Sequence, residues 1–258
     1  MAYSVELKNF NFTPPQKAKG VLNNVSLKVQ EGEFVSLIGR NGEGKTSIIK
    51  AISGELDEYT SGFVKVGAVE GSGPIHKSGN VGVVHQFVQD DLIDALSIST
   101  NIQIRQAQSN NETIRKNASF RNWDAKANEL ITAHLNTEDF TPTLNTPVGK
   151  LSGGQKQLLN VLIALKLEHS QENNCSLLLL DEHLTSLDII IEKKVNQLID
   201  KLTLNNGKRN TTIIMVTHDL DHALTSDRIL IIKDGTVKKE IIKTNSAEWN
   251  KPYLESEI

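Results

Sequence analysis

The chain has 258 residues, of which 38% are hydrophobic and 23% are charged. This composition is typical of a folded globular protein and excludes a collagen-like, disulfide-rich or disordered chain. Its 28 basic and 31 acidic residues give a net charge of −3, without the basic surplus that favours nucleic-acid binding.

Short hydrophobic segments in the first third of the chain predict strands. Tyr3–Leu7 and Val25–Val29 alternate apolar and polar residues, as half-buried strands do. Phe34–Ile38 is a short, mostly apolar segment that ends in a glycine-rich loop and predicts a buried strand. A helix is expected to follow over Thr46–Ile52. Two further apolar segments predict strands, Phe63–Val66 and Val81–Val84.

Residues 89–150 differ from the rest in being rich in Asn, Gln, Ser and Thr. Within them, Asp124–Leu135 has its apolar residues at helical spacing, and Asp124 is the expected N-cap. We therefore expect a helical subdomain over about 89–150, inserted into an α/β core.

Strands and helices alternate again after about residue 150. Helices are expected over Gly153–Leu167 and Asp188–Leu204, and buried strands over Leu177–Leu180, Thr212–Val216 and Ile229–Ile232. Alternation of this kind predicts a mostly parallel sheet with ligands at the carboxyl ends of its strands. The expected single domain has its core at about 1–88 and 151–240 and a C-terminal tail over 241–258.

The segment Gly39–Thr46 reads GRNGEGKT and fits the phosphate-binding pattern G-x-x-x-x-G-K-[ST] between a strand and a helix. Its glycines let backbone N–H groups turn toward phosphate oxygens, and the helix start adds its dipole. Lys45 is expected to contact the β- and γ-phosphates, and Thr46 to ligate Mg²⁺. The candidate nucleotide-binding residues here are Gly39, Arg40, Asn41, Gly42, Glu43, Gly44, Lys45, Thr46 and Ser47.

Two acidic residues, Asp181 and Glu182, end the apolar segment LLLLDE. At the tip of a strand, Asp181 is placed to hold the Mg²⁺ of a nucleotide. Glu182, one residue later, is the candidate general base for an attacking water.

The segment Leu151–Gln155 reads LSGGQ and begins an apolar helix. Its backbone N–H groups, its serine hydroxyl and the helix dipole would all favour an anion. The candidate residues are Ser152, Gly153, Gly154 and Gln155.

The order of these motifs, a P-loop, then LSGGQ, then LLLLDE, resembles the nucleotide-binding subunits of ATP-binding cassette (ABC) proteins over about Val5–Glu240. The resemblance implies an α/β P-loop NTPase with a mostly parallel core sheet, an N-terminal antiparallel β subdomain and an inserted helical subdomain. It also implies that the chain binds ATP and Mg²⁺ and hydrolyses ATP.

The resemblance assigns roles to further residues. Gln86 resembles the Q-loop glutamine, which contacts Mg²⁺ or the attacking water, and His218 resembles the switch histidine at the γ-phosphate. Asp188 resembles the D-loop aspartate at the dimer interface, and it is also placed to cap the following helix. Phe12 is the candidate for stacking on adenine, with Phe10 as the alternative.

The resemblance also implies partners. ATP would lie between the P-loop of one subunit and the LSGGQ of another, so we expect a head-to-tail homodimer or a pair with a second ATPase. Asp181-Glu182-His183 resembles a subset of importer ATPases linked to amino acids or related small solutes. We expect this chain to power an importer, together with a transmembrane permease and a solute-binding protein, peripherally on the cytoplasmic face of the inner membrane. The alternatives are an export or lipid-trafficking ATPase and a soluble non-transport ABC ATPase.

Overall fold

The computed structural model describes residues 3–15, 19–56, 60–72, 81–110, 120–137, 140–167, 176–182, 189–205, 208–243 and 249–258. The chain divides into two compact units. The first consists of Met1–Ser78, Leu179–Glu182 and Lys208–Ile258, and the second of Gly79–Leu178 and His183–Gly207.

The described elements in chain order are β1 (Tyr3–Phe12), β2 (Leu22–Gln30), β3 (Phe34–Ile38), α1 (Lys45–Ser53), β4 (Thr60–Val66), β5 (Val69–Ser72), β6 (Val81–Val84), α2 (Val88–Asp91), α3 (Ile98–Asn110), α4 (Phe120–Leu135), α5 (Gly153–Leu162), β7 (Leu177–Asp181), α6 (Ile189–Thr203), β8 (Leu204–Asn205), β9 (Lys208–Arg209), β10 (Thr212–Val216), α7 (Leu220–Ala223), β11 (Arg228–Lys233), β12 (Thr236–Ile242) and α8 (Lys251–Glu257). A 3-10 turn over Val148–Lys150 precedes α5, and a π-helical segment over Ile163–Leu167 follows it.

An antiparallel sheet of the first unit contains four strands in the order β2-β1-β4-β5. The central strand β1 pairs Val5 with Val29 of β2 and with Val66 of β4. All three valines are buried, whereas their neighbours along β2 alternate between buried and exposed, because successive side chains of a strand point to opposite faces. This sheet confirms the expected N-terminal antiparallel part of the fold.

A second sheet of the first unit contains strands in the order β12-β11-β3-β10-β7. β3 pairs in parallel with β10 on one side and with β11 on the other, and β12 is antiparallel to its neighbour β11. Every residue of β3 and of β10 is buried, as expected for parallel strands covered on both faces. The carboxyl ends of the parallel strands lead directly into Gly39 and Thr217.

The second unit contains the helices α2 to α6. The apolar face predicted for α4 is present, since Ala127, Ile131 and Leu135 are buried. The expected cap at Asp124 is wrong, because α4 begins at Phe120 and Asp124 lies inside it. The preceding residues FRNW contain no glycine or proline that would stop the helix there. Among the described helices, none is long and apolar enough to cross a membrane.

Candidate active site

The P-loop connects β3 to α1 with glycines where other residues would not fit. Gly39 has a φ of 152°, and a Cβ there would lie 2.3 Å from the carbonyl oxygen of Ile232. Gly44 caps α1 in the left-handed region at a φ of 96°, with Val21 and Leu22 packed directly against it. Side chains at these positions would push the loop off the sheet, so the two glycines fix the path of its backbone.

Lys45 is buried, and its ammonium group lies across the P-loop. Nζ donates hydrogen bonds to the carbonyl oxygens of Gly39 and Arg40, each at 2.9 Å. Burial lowers the pKa of this ammonium below its ordinary value, while nearby carboxylates, Glu182 first, act in the opposite direction. A cation held inside the loop by neutral carbonyls is available to phosphate oxygens.

The remaining predicted P-loop residues occupy the exposed turn and the first turn of α1. Arg40, Asn41 and Gly42 are exposed, and Ser47 is partly buried on α1. The carboxylate of Glu43 accepts a hydrogen bond from the backbone N–H of Asp234, in the turn between β11 and β12. No sequence motif marks this hydrogen bond, because Glu43 and Asp234 are 191 positions apart in the chain.

Thr46 and Asp181 come together at the carboxyl end of the sheet. The Thr46 hydroxyl donates a hydrogen bond of 3.1 Å to Oδ1 of the buried Asp181. A hydroxyl and a carboxylate are hard oxygen ligands, which Mg²⁺ prefers, and Mg²⁺ commonly takes its other ligands from phosphates and water. The described residues contain no group of three or more acidic, histidine or cysteine side chains that would hold a metal alone. The pair therefore fits Mg²⁺ that arrives with a nucleotide.

Glu182 and His218 form the second pair of the site. Oε1 of Glu182 lies 2.7 Å from Nε2 of His218, and the histidine side chain is 41% exposed. The backbone of Glu182 is left-handed at a φ of 46°, and its N–H donates to the carbonyl of Val216 at 3.0 Å. A non-glycine residue in this region is strained, and such strain is found where a structure fixes a functional side chain. The Glu182 carboxylate is thus held directly after β7, beside His218.

A cavity of about 420 Å³ lies beside these residues. The P-loop residues Gly39–Asn41, together with Thr217 and His218, line one part of it. Glu255 and Ile258 of the C-terminal segment line another part, a contribution that the sequence analysis did not predict.

The C-terminal helix α8 is held in the first unit by apolar and ionic contacts. Leu254 is fully buried in a cluster with Ile38 and with Leu220, which begins α7 just after His218. The ammonium of Lys239 contacts the hydroxyl and ring of Tyr253 and lies 3.2 Å from the Glu257 carboxylate. The helical spacing of Tyr253, Leu254 and Ile258 is the sequence signal that would have predicted this docked helix.

Phe12 lies at the end of β1 and is partly buried. It pairs with Leu22 of β2, and its carbonyl accepts a hydrogen bond from Val21 at 2.8 Å. Because Val21 and Leu22 pack against Gly44, Phe12 is one strand removed from the P-loop. Phe10, the alternative, is buried and therefore has no ring face open to a base.

The LSGGQ segment lies in the second unit and forms a capping box at the start of α5. The hydroxyl of Ser152 accepts a hydrogen bond from the N–H of Gln155 at 3.2 Å, and the Gln155 side chain accepts one from the N–H of Ser152 at 2.9 Å. Gln155 also donates to the carbonyl of Leu135 at 2.7 Å. Ser152 and Gly153 are exposed, so Gln155 supports the segment while its first residues remain accessible.

Gln86 is also in the second unit, two residues after the end of β6, and it is partly buried. It precedes Phe87, whose side chain is 54% exposed. The predicted positions Asp188 and His183 lie outside the described residues.

The chain is similar in sequence and structure to known proteins. Residues 22–185 match the protein family described as ABC transporter. The chain belongs to this family. It is 32% identical over 229 residues to an uncharacterized ABC transporter ATP-binding protein of Methanocaldococcus jannaschii, covering 85% of this chain and 88% of the relative. It is 27% identical over 241 residues to a tyrosine transport ATP-binding protein of Clostridioides difficile, covering 92% and 91%.

A solved structure has the same fold. It is a dimeric ATP-binding cassette in a post-hydrolysis state with ADP and phosphate, with a TM-score of 0.70 and 28% identity. The match covers 94% of this chain and 100% of the cassette. The predictions of an ABC-type P-loop fold and of an ATP-binding ATPase are confirmed.

Proposed function

We propose that this ABC ATPase powers a membrane importer of a small solute such as an amino acid. The observation that carries the catalytic part of the proposal is the Glu182–His218 pair, 2.7 Å apart and in the same unit as Lys45 and the Thr46–Asp181 pair. Importer function is supported by the DEH segment and by the relative named for tyrosine transport. The chain acts as one ATPase domain with a helical subdomain over about 89–150.

Within the site, each side chain has a chemical role. Lys45 neutralises negative charge on the β- and γ-phosphates, and the P-loop N–H groups orient them. Glu182 takes the proton of the attacking water, because its carboxylate is fixed at the end of β7. His218 holds this carboxylate from one side and donates to the γ-phosphate when ATP is bound. Phe12 stacks on the adenine.

Mg²⁺ fits the same edge of the sheet. Thr46 and Asp181 would hold it, with Gln86 as a further ligand. When bound, Mg²⁺ neutralises charge on the phosphate oxygens during transfer.

The active form is a head-to-tail dimer, in which LSGGQ of one copy binds the ATP held by the P-loop of another. Support comes from the exposed Ser152 and Gly153 at the start of α5, since the N-terminus of a helix favours an anion. The dimeric cassette found among the relatives supports the same arrangement. Asp188 is assigned to the interface, and the second copy is either this chain or a paired ATPase.

A permease binds the second unit at the segment that follows Gln86. Phe87 and Ile93 there are 54% and 47% exposed and offer apolar surface to a partner. A short cytoplasmic helix of the permease would cover both, and the ATPase would thereby sit on the cytoplasmic face of the membrane. A solute-binding protein would deliver the solute, and nucleic acid is not a partner.

Replacing Glu182 with Gln tests the catalytic proposal. Removal of a general base lowers the rate by about 10²- to 10⁴-fold. Phosphate release should fall accordingly, while light scattering at saturating Mg-ATP should show a stable dimer. Glu240→Gln changes an exposed carboxylate of β12 and serves as the control with unchanged turnover. A Glu182→Gln protein that stays monomeric, or that hydrolyses ATP normally, contradicts the assignment.

Purification of the tagged protein from detergent-solubilised native membranes tests the transport proposal. Mass spectrometry should identify a permease with many transmembrane segments in stoichiometric amount. Recovery of only soluble partners would favour a non-transport ABC ATPase, and recovery of a permease without any solute-binding protein would favour export or lipid trafficking.

A further inference from the structure

A buried carboxylate of the second unit contacts three other parts of that unit. The side chain of Asp91, at the end of α2, is completely buried. It accepts hydrogen bonds from the backbone N–H of His85 at 2.8 Å and from the amide of Asn160 at 2.7 Å. Its carboxylate also contacts the His85 ring at 2.6 Å and the Arg105 guanidinium. We call these four residues the Asp91 cluster.

Opposite charges meet in the Asp91 cluster. Burial alone would raise the pKa of the Asp91 carboxyl, but hydrogen bonding from His85 and the positive charge of Arg105 more than offset this, so the pKa is lowered. Arg105 uses a second nitrogen to donate to the carbonyl of Val83 at 2.7 Å. A carboxylate and a guanidinium that are both buried and hydrogen-bonded hold their neighbours in one defined arrangement.

The partners of Asp91 lie next to residues that are proposed to act in ATP hydrolysis. His85 directly precedes Gln86, so the hydrogen bond from its backbone fixes the chain next to that glutamine. Asn160 lies on α5, the helix that Ser152 caps. One carboxylate is therefore bonded both to the segment of Gln86 and to the helix that begins with LSGGQ.

The hydrogen bond between Asn160 and Asp91 comes with an unfavourable contribution to the stability of the fold. It is fully buried among apolar residues of α5, and among the described residues its Oδ1 has no hydrogen-bond partner. An unsatisfied buried oxygen is unfavourable, and leucine would fill the same space without one. The favourable contact of the Asn160 amide here is therefore the hydrogen bond that its N–H donates to the Asp91 carboxylate.

We propose that Asp91 is a positioning residue for ATP hydrolysis. Through its hydrogen bonds with Asn160 and with the backbone of His85, it fixes the position of the Gln86 segment relative to α5, the helix that begins with LSGGQ. The proposal rests on the proposed function, because it takes Gln86 and LSGGQ as parts of the ATPase machinery. Asp91 acts through other residues and need not touch the nucleotide.

Asn160→Leu tests this proposal with little risk to folding, because it replaces a half-satisfied amide with an apolar side chain of similar shape. We expect kcat for ATP to fall by about 2- to 30-fold, the range of coupling changes seen when connecting residues are altered. KM and the binding of a fluorescent ATP analogue should stay within about twofold, since the P-loop is unchanged.

Thr203→Val is the matched control. It also removes a fully buried side-chain donor, one that bonds the Ile199 carbonyl of its own helix at 2.8 Å. If kcat is unchanged in Asn160→Leu, or if both variants lose activity equally, the proposal is wrong. A parallel loss of kcat, nucleotide binding and melting temperature in Asn160→Leu would also overturn it, because that pattern indicates general loosening.

Asp91→Asn gives an independent check through a double-mutant cycle with Asn160→Leu. Positioning through the shared hydrogen bond predicts that the double variant loses no more kcat than Asp91→Asn alone. Additive losses would contradict a shared route. Failure of the proposed function is distinguishable, since then the wild-type chain itself would hydrolyse no ATP or Glu182→Gln would remain active.

Discussion

The two units use their polar side chains in different ways. In the first, Thr46, Glu182 and His218 lie at the carboxyl ends of parallel strands, where we propose that the nucleotide binds. In the second, Asp91, Arg105 and Asn160 are buried and bond mainly to one another. A catalytic edge needs a few side chains at the ends of adjacent strands, whereas a buried cluster needs every member in place. We therefore expect substitutions at the first-unit site to affect nucleotide binding or hydrolysis, and those in the buried cluster to affect stability and coupling.

The largest expected effect on the free energy of unfolding is the loss of a buried ion pair of the second unit, compared with the loss of an exposed one. Asp91→Asn leaves Arg105 buried without its carboxylate, which should lower the free energy of unfolding by about 3–5 kcal/mol. Asp94→Asn is the matched control, because it breaks a pair with Lys156 in which the carboxylate is 64% exposed. Such surface pairs contribute about 0–1 kcal/mol. Urea denaturation measures both variants, and equal losses would contradict the distinction.

The contribution of the Asp91 carboxylate to the free energy of unfolding should depend on pH. The pKa of Asp91 is lowered in the folded chain, so its stabilising contribution is complete above the ordinary carboxyl pKa of about 3.9. The contribution is lost as pH falls through the lower folded pKa. The difference in unfolding free energy between wild type and Asp91→Asn should therefore narrow in acid, below the ordinary carboxyl pKa. A difference that narrows already above about pH 5 would contradict the lowered pKa.

The next effect belongs to the first unit and to nucleotide affinity. Lys45→Ala removes a charged donor, and hydrogen bonds to charged groups contribute about 1.5–3 kcal/mol, which corresponds to about 10- to 150-fold in Kd. Lys50→Ala, on the last turn of the same helix, removes an equal charge away from the P-loop and should leave Kd unchanged. Titration with a fluorescent ATP analogue measures both. Normal affinity in Lys45→Ala would contradict the assignment of the P-loop.

The sequence predicted contiguous features better than features that depend on distant contacts. The bounds of β3 and β6 were predicted correctly, because both are short apolar runs bounded by polar residues or glycine. The P-loop and the Asp181–Glu182 pair could be proposed as candidate sites from the sequence because their residues lie next to one another in the chain. The Asp91 cluster was not readable, since Asp91 and Asn160 are 69 residues apart and neither belongs to a motif. The role of α8 in lining the cavity was missed for the same reason.

The smallest expected effect concerns Ser152, which has a structural and a proposed catalytic role. Ser152→Ala removes the cap of α5 and should lower the free energy of unfolding by about 1 kcal/mol. Ser152→Asp keeps a capping oxygen and should restore that stability, because aspartate caps helices as well as serine does. If the serine also contacts the phosphate of a second copy, the aspartate should repel it, and ATPase activity should stay low in both variants. Recovery of activity together with stability in Ser152→Asp would show that the hydroxyl acts only as a cap.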